Sequence, residues 1–389
     1  MQGQNSRAFL RIPWKWARLR ALMLCRELTR PTVATVNVRL AAHFSRNEVT
    51  RLERSGRGGQ KARAYCYLRA DRDIPRPKRG SVKSDTVPPI DFSSSARTVK
   101  TELERLSERS NGLIGRHGAF DLIFFKGDSA PSTLRALGRA RETTFRAAGQ
   151  GTEKECDLSP EDEYYHHLVL WDRNKAQLAG AYRLGMVQEI LDARGPSALY
   201  LDHVFKIQPA LYRKLGNAFE LSRSFVTPEY QRDSGALAGL WKKLGGAAAL
   251  HEIETFFGSV TISNDHHPVS RATIVEYLRQ NHADTPDMCG RVKARKPFRF
   301  LTRYHRMIAE AFRGEPIGNL SSLIEGVEGG ERGIFPLIRY YCSLGAKFLD
   351  FHVEADFQDA LYCLLRVEIA KIPEAYRRRF MPASHSLCK

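Results

Sequence analysis

The chain has 389 residues, which is enough for one large core or two domains. Its net charge of +18 lies mostly in the first hundred residues, which hold 22 Lys and Arg against 7 Asp and Glu. Seven scattered cysteines without a CxxC pair argue against a disulfide framework, and no apolar run has the length of a membrane span or a secretion signal. We therefore expect a cytoplasmic protein, with peripheral attachment to the inner face of the cell membrane left open.

The N-terminal region is basic and rich in turn-forming residues. Residues 8–28 have the composition of a cationic amphipathic helix at a membrane interface. Their apolar residues recur at irregular intervals, so a poorly ordered arm fits equally well. Residues 51–100 are rich in Arg, Gly, Ser and Pro, which predicts a linker or disorder. Cations without interleaved base-stacking aromatics give only unspecific nucleic-acid affinity, so no specific nucleic-acid partner is expected. We assign residues 1–116 to a basic, poorly ordered extension or linker.

Periodic order begins near residue 118 and predicts a mixed α/β fold with an antiparallel middle. The segments 164–171 and 178–187 are joined by a polar turn, which is a hairpin signal. Residues 282–320 read as a long irregular stretch. The other predicted elements, in chain order, are a strand at 119–125, a helix at 131–148, a strand, loop and helix within 217–250, a strand at 256–263, and a helix at 269–280, then a helix at 335–343 and strands at 347–353 and 361–369.

The strand at 217–226 carries Glu220 and Arg223 in an otherwise β-prone run. A half-buried strand rarely holds two opposite charges unless they pair or perform chemistry. Regular alternation would place Glu220 and Arg223 on opposite faces and bury the arginine among apolar residues, whereas a β-bulge would relieve both problems. Glu220 is therefore a candidate general base, and a structural ion pair, for example with Arg183, is the alternative.

Several blocks of the sequence resemble the GNAT-type N-acyltransferases that make bacterial aminolipids such as ornithine and glycine lipids, a hemolysin-like group. The matching blocks are RARETTFRAAGQGT (139–152), YYHHLVLWDRNKAQLAGAYRLG (164–185), ELSRSFVTPEYQR (220–232), GSVTISND (258–265), SRATIVEYL (270–278) and KFLDFHVEADFQDALYCLLRVEI (347–369). A weaker similarity to acyl-homoserine-lactone synthases lies in Arg141 with Phe145, in Arg183, and in Glu220 with Arg223.

The resemblance implies a GNAT-like domain over residues 117–375, with a mixed sheet flanked by helices, and a C-terminal tail at 376–389. It implies transfer of a (3-hydroxy)acyl chain from acyl carrier protein to the α-amine of an amino acid such as ornithine or glycine. No bound cofactor is expected, because the acyl phosphopantetheine thioester is a co-substrate, and acyl-CoA is the other possible donor. A CoA-dependent acetyltransferase, an autoinducer-type synthase, and a basic membrane- or nucleic-acid-binding protein with a decayed fold remain alternatives.

Site residues follow from the same resemblance. Glu220 and Arg223 would be catalytic, and Arg141, Arg183 and Phe145 would bind substrate, the two arginines matching a carboxylate bidentately. Solvated arginines are the alternative. The turn that opens a helix would bind the phosphate of the pantetheine arm through backbone N–H groups, or would be an ordinary strand-to-helix turn. It consists of Gln231, Arg232, Asp233, Ser234, Gly235 and Ala236. Ser234 stands where the family pattern has its first glycine, and Asp233 lies beside it. A loop of this composition suits a single phosphate better than a pyrophosphate.

Two further patterns in the sequence involve histidines. His167 and Asp172 have the His-x4-Asp spacing of lysophospholipid acyltransferases, but a strand that runs into a turn explains both residues. The His166-His167 and His266-His267 pairs lack metal-ligand spacing, so no metal site is expected.

Residues 291–313 are basic and interleaved with aromatics. A solvated face, an anionic membrane surface, and docking of the acidic acyl carrier protein through Arg295, Lys296 and Arg299 all fit this composition.

Overall fold

The computed structural model describes residue 50 and residues 57–70, 96–148, 150–152, 154–299, 305–328, 330 and 332–380. The predicted amphipathic segment at 8–28 lies outside them. The chain divides into two compact units, residues 1–62 and residues 63–389. The sheet and the candidate site lie within the second unit.

An eight-stranded mixed sheet forms the centre of this unit. Its order is β1-β2-β3-β4-β6-β7-β10-β9, and every neighbouring pair is antiparallel except β6 and β7, which are parallel. A small sheet pairs β5 with β8. The strands are β1 Leu113–His117, β2 Phe120–Lys126, β3 His166–Asp172, β4 Gln177–Met186, β5 Phe205–Ile207, β6 Ala218–Val226, β7 Thr255–Ile262, β8 Val292–Ala294, β9 Lys347–Glu354 and β10 Ala360–Glu368.

Helices cover both faces of the sheet. They are α1 Gly58–Ala70, α2 Ala96–Ser107, α3 Pro131–Ala147, α4 Glu161–Tyr164, α5 Val187–Arg194, α6 Tyr200–Val204, α7 Pro209–Leu215, α8 Ser234–Leu250, α9 Pro268–Asn281, α10 Pro286–Cys289, α11 His305–Ala311, α12 Ile317–Val327, α13 Pro336–Ser343 and α14 Glu374–Phe380. One core holds side chains of α8, α9, α11, α12 and α13, and the opposite face packs against α2, α3, α5, α6 and α7. The predicted α/β architecture, a mixed sheet flanked by helices, is confirmed.

The predicted hairpin is confirmed as β3 and β4. Asp172 fixes its turn, because its Oδ1 accepts hydrogen bonds from the backbone N–H groups of Asn174 at 2.9 Å and Lys175 at 3.1 Å. Its Oδ2 accepts a hydrogen bond from the hydroxyl of Tyr230 at 2.7 Å. Asp172 therefore has a structural role, which agrees with the rejection of the His-x4-Asp spacing as a second active site.

Two predictions made from composition and periodicity are wrong. The stretch 282–320 is not irregular, since it contains α10, β8, α11 and the start of α12. These elements are too short to show a clear period and are held by packing, with α11 and α12 covering α9. Within the predicted linker at 51–100, the described residues 58–70 and 96–100 are helical. Helix α2 buries Val99, Leu103 and Leu106 against the sheet, so the folded unit starts before the domain boundary predicted at residue 117.

The parallel strands β6 and β7 separate after four residue pairs. Pairing runs from Ala218 opposite Thr255 to Leu221 opposite Gly258 and then stops. Gly258 is required at the last pair, because a Cβ there would lie 2.6 Å from the carbonyl oxygen of Leu221. The strands predicted within 217–250 and at 256–263 are therefore adjacent, parallel and divergent at their C-terminal ends.

A bulge bends β6 at the point of separation. Opposite β4, Arg183 pairs with Ser222 and Ala181 pairs with Phe225, so β6 carries one extra residue between them. Arg223 has a φ of 49° there, in the left-handed region that only a well-supported side chain adopts.

Candidate active site

Glu220 lies on β6 beside Phe257 of β7, one residue before the strands separate. It is 0% exposed. Its Oε1 accepts a hydrogen bond from the hydroxyl of Tyr165 at 3.1 Å, and the backbone N–H of Leu201 also donates to the carboxylate. No described cation lies within ion-pair distance of Glu220, so the alternative of a structural ion pair with Arg183 is not observed.

Burial raises the pKa of Glu220 to about 7. The nearby Arg183 guanidinium and the two hydrogen bonds oppose this shift but do not cancel it. A carboxyl group with a pKa near 7 is divided between its two protonation states at neutral pH, which is the property a general base needs.

The bulge places Arg223 on the same side of the sheet as Glu220. The two charges therefore do not lie on opposite faces, as regular alternation along the strand would require. Its Nε lies 2.9 Å from Oδ2 of Asp157, and its Nη1 donates to the hydroxyl of Tyr200 at 3.0 Å. The guanidinium carbon also lies 4.9 Å from the ring centre of Tyr200 and 4.7 Å from that of Phe357. Arg223 is thus held by one carboxylate and two aromatic faces.

Tyr200 connects Arg223 to Glu220. Its backbone N–H donates to the hydroxyl of Tyr165 at 2.9 Å, and that hydroxyl donates to Glu220. Its own hydroxyl accepts from Arg223 and lies 3.4 Å from the hydroxyl of Tyr362. Hydrogen bonds at the two ends of Tyr200, through its backbone N–H and its hydroxyl, therefore link the buried carboxylate to the bulge.

Arg141 and Arg183 meet at a third residue, Asp162. Nη1 of Arg141 lies 2.5 Å from Oδ1 of Asp162, and Nη1 of Arg183 lies 3.1 Å from Oδ2. Arg183 also donates from Nε to Ser222 at 2.9 Å, next to Glu220 on the same face of β6. Both arginines are 0% exposed, so neither is solvated, and each forms an ion pair with Asp162 through one Nη atom.

Four residues that organise this cluster had no place in the sequence prediction, namely Asp157, Asp162, Tyr165 and Tyr200. The usable signal was the acidic run DLSPED at 157–162, because each buried guanidinium requires a carboxylate partner. The tyrosines gave no signal, since their roles depend on contacts between distant segments.

Phe145 and the loop after α3 lie along the opening between β6 and β7. The Phe145 ring packs edge-on against Phe225 of β6 and Phe357 of the β9–β10 connection, with centroid distances of 6.4 and 6.1 Å. The side-chain oxygen of Gln150 accepts a hydrogen bond from the hydroxyl of Thr261 of β7 at 3.0 Å. Phe145 is therefore on the same face as Arg223, since both contact the ring of Phe357.

The predicted phosphate loop opens α8, with Ser234 as the first helical residue. Gln231 and Arg232 are exposed, whereas Ala236 is buried. Asp233 caps the helix, because its Oδ1 accepts from the backbone N–H of Gly235 at 2.8 Å. One of the N–H groups that could bind an anion is thus already used by an acid of the chain.

The residues predicted to dock acyl carrier protein follow directly after β8. Arg295, Lys296 and Arg299 are exposed. Arg295 is partly fixed, since its Nε and Nη2 donate to the carbonyl of Asp202 at 3.1 and 2.9 Å. Among the described residues, no group of three or more His, Cys, Asp or Glu side chains is arranged to hold a metal ion.

Comparison with known proteins agrees with this geometry. Residues 140–242 match the family model described as "Acetyltransferase (GNAT) domain". This segment of the chain is therefore similar to the GNAT domain. The match runs from α3 through the hairpin and β6 to α8, and so includes the arginine–Asp162 cluster, Glu220 and the helix-opening loop.

Two curated relatives carry the name "Glycine N(alpha)-acyltransferase". The protein from Bacteroides thetaiotaomicron is 32% identical over 214 residues, which cover 50% of this chain and 60% of the relative. The protein from Phocaeicola vulgatus is 33% identical over 170 residues, which cover 40% of this chain and 51% of the relative. The chain thus matches little more than half the length of these relatives. No solved structure matches it.

No helix within the described part of the chain combines the length and the apolarity needed to cross a membrane.

Asp162→Asn tests the arginine cluster. Removing the charge leaves two buried guanidiniums without their shared carboxylate, so we expect the free energy of unfolding to fall by about 3 kcal/mol or more. Asp128→Asn is the matched control, because Asp128 is 60% exposed and only 3.7 Å from the exposed Lys126, and its loss should cost less than about 0.5 kcal/mol. Urea unfolding of both variants measures the difference, and equal losses would show that Asp162 does not hold the cluster.

Proposed function

We propose that this protein is an N-acyltransferase that moves a (3-hydroxy)acyl chain from acyl carrier protein to the α-amine of an amino acid, giving a lyso-aminolipid. The observation that carries the proposal is Glu220, a buried carboxyl group with a pKa near 7, placed where two parallel strands separate, on the strand that lies within the segment similar to the GNAT domain. Among ornithine, glycine and similar acceptors, the names of the two relatives favour glycine.

The opening between the strands suits an extended thioester arm. From Ser222 on β6 and Ser259 on β7, the two backbones no longer pair with each other, so their inward-facing N–H and C=O groups are available to a ligand. An arm that enters there would add a short strand and bring its thioester carbonyl next to Glu220 and Arg223.

The proposed reaction needs one base. Glu220 accepts a proton from the acceptor ammonium, the amine nitrogen attacks the thioester carbonyl carbon, the C–N bond forms, and the C–S bond breaks. The nitrogen then loses its second proton, which the departing sulfur takes up to leave as a thiol, and Glu220 releases the first proton to solvent. Arg223 and the hydroxyl of Tyr200 face the same opening and would stabilise charge that develops on the carbonyl oxygen.

The loop at α8 favours acyl carrier protein over CoA as donor. Because Asp233 takes the Gly235 N–H and adds a negative charge, the loop is less suited to a pyrophosphate than to the single phosphodiester of a carrier-protein arm. A CoA-dependent GNAT acetyltransferase is the second candidate, and the description of the matching family model favours it. A decayed, non-enzymatic fold is disfavoured, because both the strand opening and Glu220 are present.

Attachment to an anionic membrane surface belongs to the same proposal, because a lyso-aminolipid product partitions into membranes. The cationic first hundred residues would supply the attraction.

Glu220→Gln should lower the turnover of acyl transfer by about a hundredfold or more, which is the usual contribution of a general base. The amide keeps the shape of the side chain, so the melting temperature should change little. Turnover is measured by mass spectrometry of the N-acyl amino acid. Unchanged turnover together with a lowered melting temperature would instead assign Glu220 a purely structural role.

The docking surface is tested by Lys296→Glu with Arg299→Glu, leaving Arg295 intact because it supports Asp202. The apparent KM for acyl carrier protein should rise, and more at low salt, while the KM for a small acyl-pantetheine donor stays constant. Arg109→Glu with Arg135→Glu is the control, since Arg109 is exposed just after α2 and Arg135 is exposed on α3. If the control raises the carrier-protein KM equally, docking through 291–313 is wrong.

A further inference from the structure

One short segment bridges the strand opening on the side where Arg223 lies. The Phe145 ring, near the end of α3, packs against Phe225 of β6. Gln150, just after α3, accepts a hydrogen bond from the hydroxyl of Thr261 of β7 at 3.0 Å. Both strands have stopped pairing with each other before these contacts, so the segment spans a gap in the sheet.

The bridge is fixed to α3 independently of Thr261. The backbone N–H of Gln150 donates to the carbonyl of Phe145 at 2.8 Å. The backbone N–H and the hydroxyl of Thr152 donate to Oε2 of Glu142 at 2.9 and 2.7 Å, and Glu142 is 0% exposed. The fold therefore holds Gln150 over the opening from the β6 side, and Thr261 fixes it from the β7 side.

Solvent reaches this face of the opening from the point where pairing stops. Phe257, beside Glu220, is 0% exposed, whereas Ser259 and Thr261 on the same face of β7 are partly exposed. Gln150 is also partly exposed, and its hydrogen bond to Thr261 uses only its oxygen. The two N–H groups of its carboxamide thus remain as donors for a ligand in the gap.

Distances along β7 relate the bridge to the reacting carbonyl group. Thr261 lies four residues beyond Phe257, the neighbour of Glu220, which corresponds to about 13 Å at about 3.3 Å per strand residue. In a pantetheine thioester, nine bonds join the thioester carbonyl carbon to the carbonyl carbon of the outer amide. They extend to about 10 Å, at about 3.5 Å per three backbone bonds. With the thioester at Glu220, the outer amide therefore comes within reach of the Gln150 side chain.

We propose that Gln150 is a positioning residue for the acyl donor, whose carboxamide donates a hydrogen bond to the outer amide carbonyl of the pantetheine arm while Thr261 holds its oxygen. The inference rests on the proposed function and deepens it by naming the part of the donor that is recognised. Acyl carrier protein and CoA carry the same arm, so the site would select pantetheine thioesters from both sources over thioesters that lack the outer amide.

The inference is tested with two small donors of the same acyl chain, an acyl-pantetheine and an acyl-N-acetylcysteamine, which has only the inner amide. Gln150→Met keeps the length of the side chain and removes its donor. We expect kcat/KM for acyl-pantetheine to fall about fivefold or more through KM, with kcat retained, the effect of losing one hydrogen bond. For acyl-N-acetylcysteamine the change should stay below about twofold, because that donor never makes the contact. Mass spectrometry of the N-acyl amino acid measures both rates.

Thr261→Val is a second variant, since it removes only the hydroxyl that holds the Gln150 oxygen. It should lower kcat/KM for acyl-pantetheine in the same selective way, by about threefold. Gln188→Met is the matched control, because Gln188 is also partly exposed and its Nε2 donates to the carbonyl of Gly216 at 3.0 Å, before the start of β6. It should change neither donor, and melting curves establish that all three variants fold. Equal losses for the two donors, or no loss for acyl-pantetheine in folded Gln150→Met, would overturn the inference.

Binding is scored separately from transfer. Calorimetric titration of the full chain with an S-alkyl pantetheine thioether, which cannot react, should show an affinity about fivefold lower for Gln150→Met than for the unchanged protein. Gln150-dependent binding without any N-acyl product would keep the arm site and overturn the proposed function. Transfer from acyl-pantetheine that ignores Gln150, or no binding of the thioether to the unchanged protein, would overturn the inference instead. Acyl carrier protein and acyl-CoA, compared as donors of one acyl chain, establish which source supplies the arm.

Discussion

The separation of β6 from β7 is the constraint on which the rest of the site depends. Four paired residues hold the two parallel strands together, and the bulge at Arg223 then turns β6 away. The left-handed backbone of Arg223 is a strained conformation, which costs on the order of 1–3 kcal/mol and persists only where the surroundings fix it. Here Asp157 and the Tyr200 and Phe357 rings fix it. Gly258 completes the arrangement by allowing the close approach of the last pair.

Charge balance explains why Glu220 differs from its neighbours. The described cluster contains the guanidiniums of Arg141, Arg183 and Arg223 and the carboxyl groups of Asp157, Glu161, Asp162 and Glu220. Two guanidiniums hold the pKa of Asp162 far below its usual range. Glu220, by contrast, has no direct cation and is fully desolvated, so its pKa rises. With all four acids ionised the cluster has one excess negative charge, which a bound ammonium would neutralise.

Much of the fold could be predicted from the sequence, and less of the site. Long periodic segments and the turn at Asp172 predicted the hairpin and the existence of the central strands, and the family resemblance implied the mixed sheet flanked by helices. The same pattern at Glu220 and Arg223 predicted the bulge, because a regular strand would have buried an unpaired guanidinium. By contrast, α10, β8 and α11 were missed, since tertiary packing rather than periodicity forms short elements. Tyr165 and Tyr200 could not be predicted, because their partners lie on distant segments.

Glu220 is proposed to act as the base in N-acyl transfer at the strand opening. The most direct test is the pH dependence of kcat/KM for the amino acid, with the N-acyl product measured by mass spectrometry and the acyl donor saturating. A carboxyl group whose folded-state pKa is about 7 must be ionised to accept a proton, so kcat/KM should rise tenfold per pH unit below pH 7 and level off above it. A profile that follows only the more alkaline titration of the free amine, with no break near pH 7, would contradict the account.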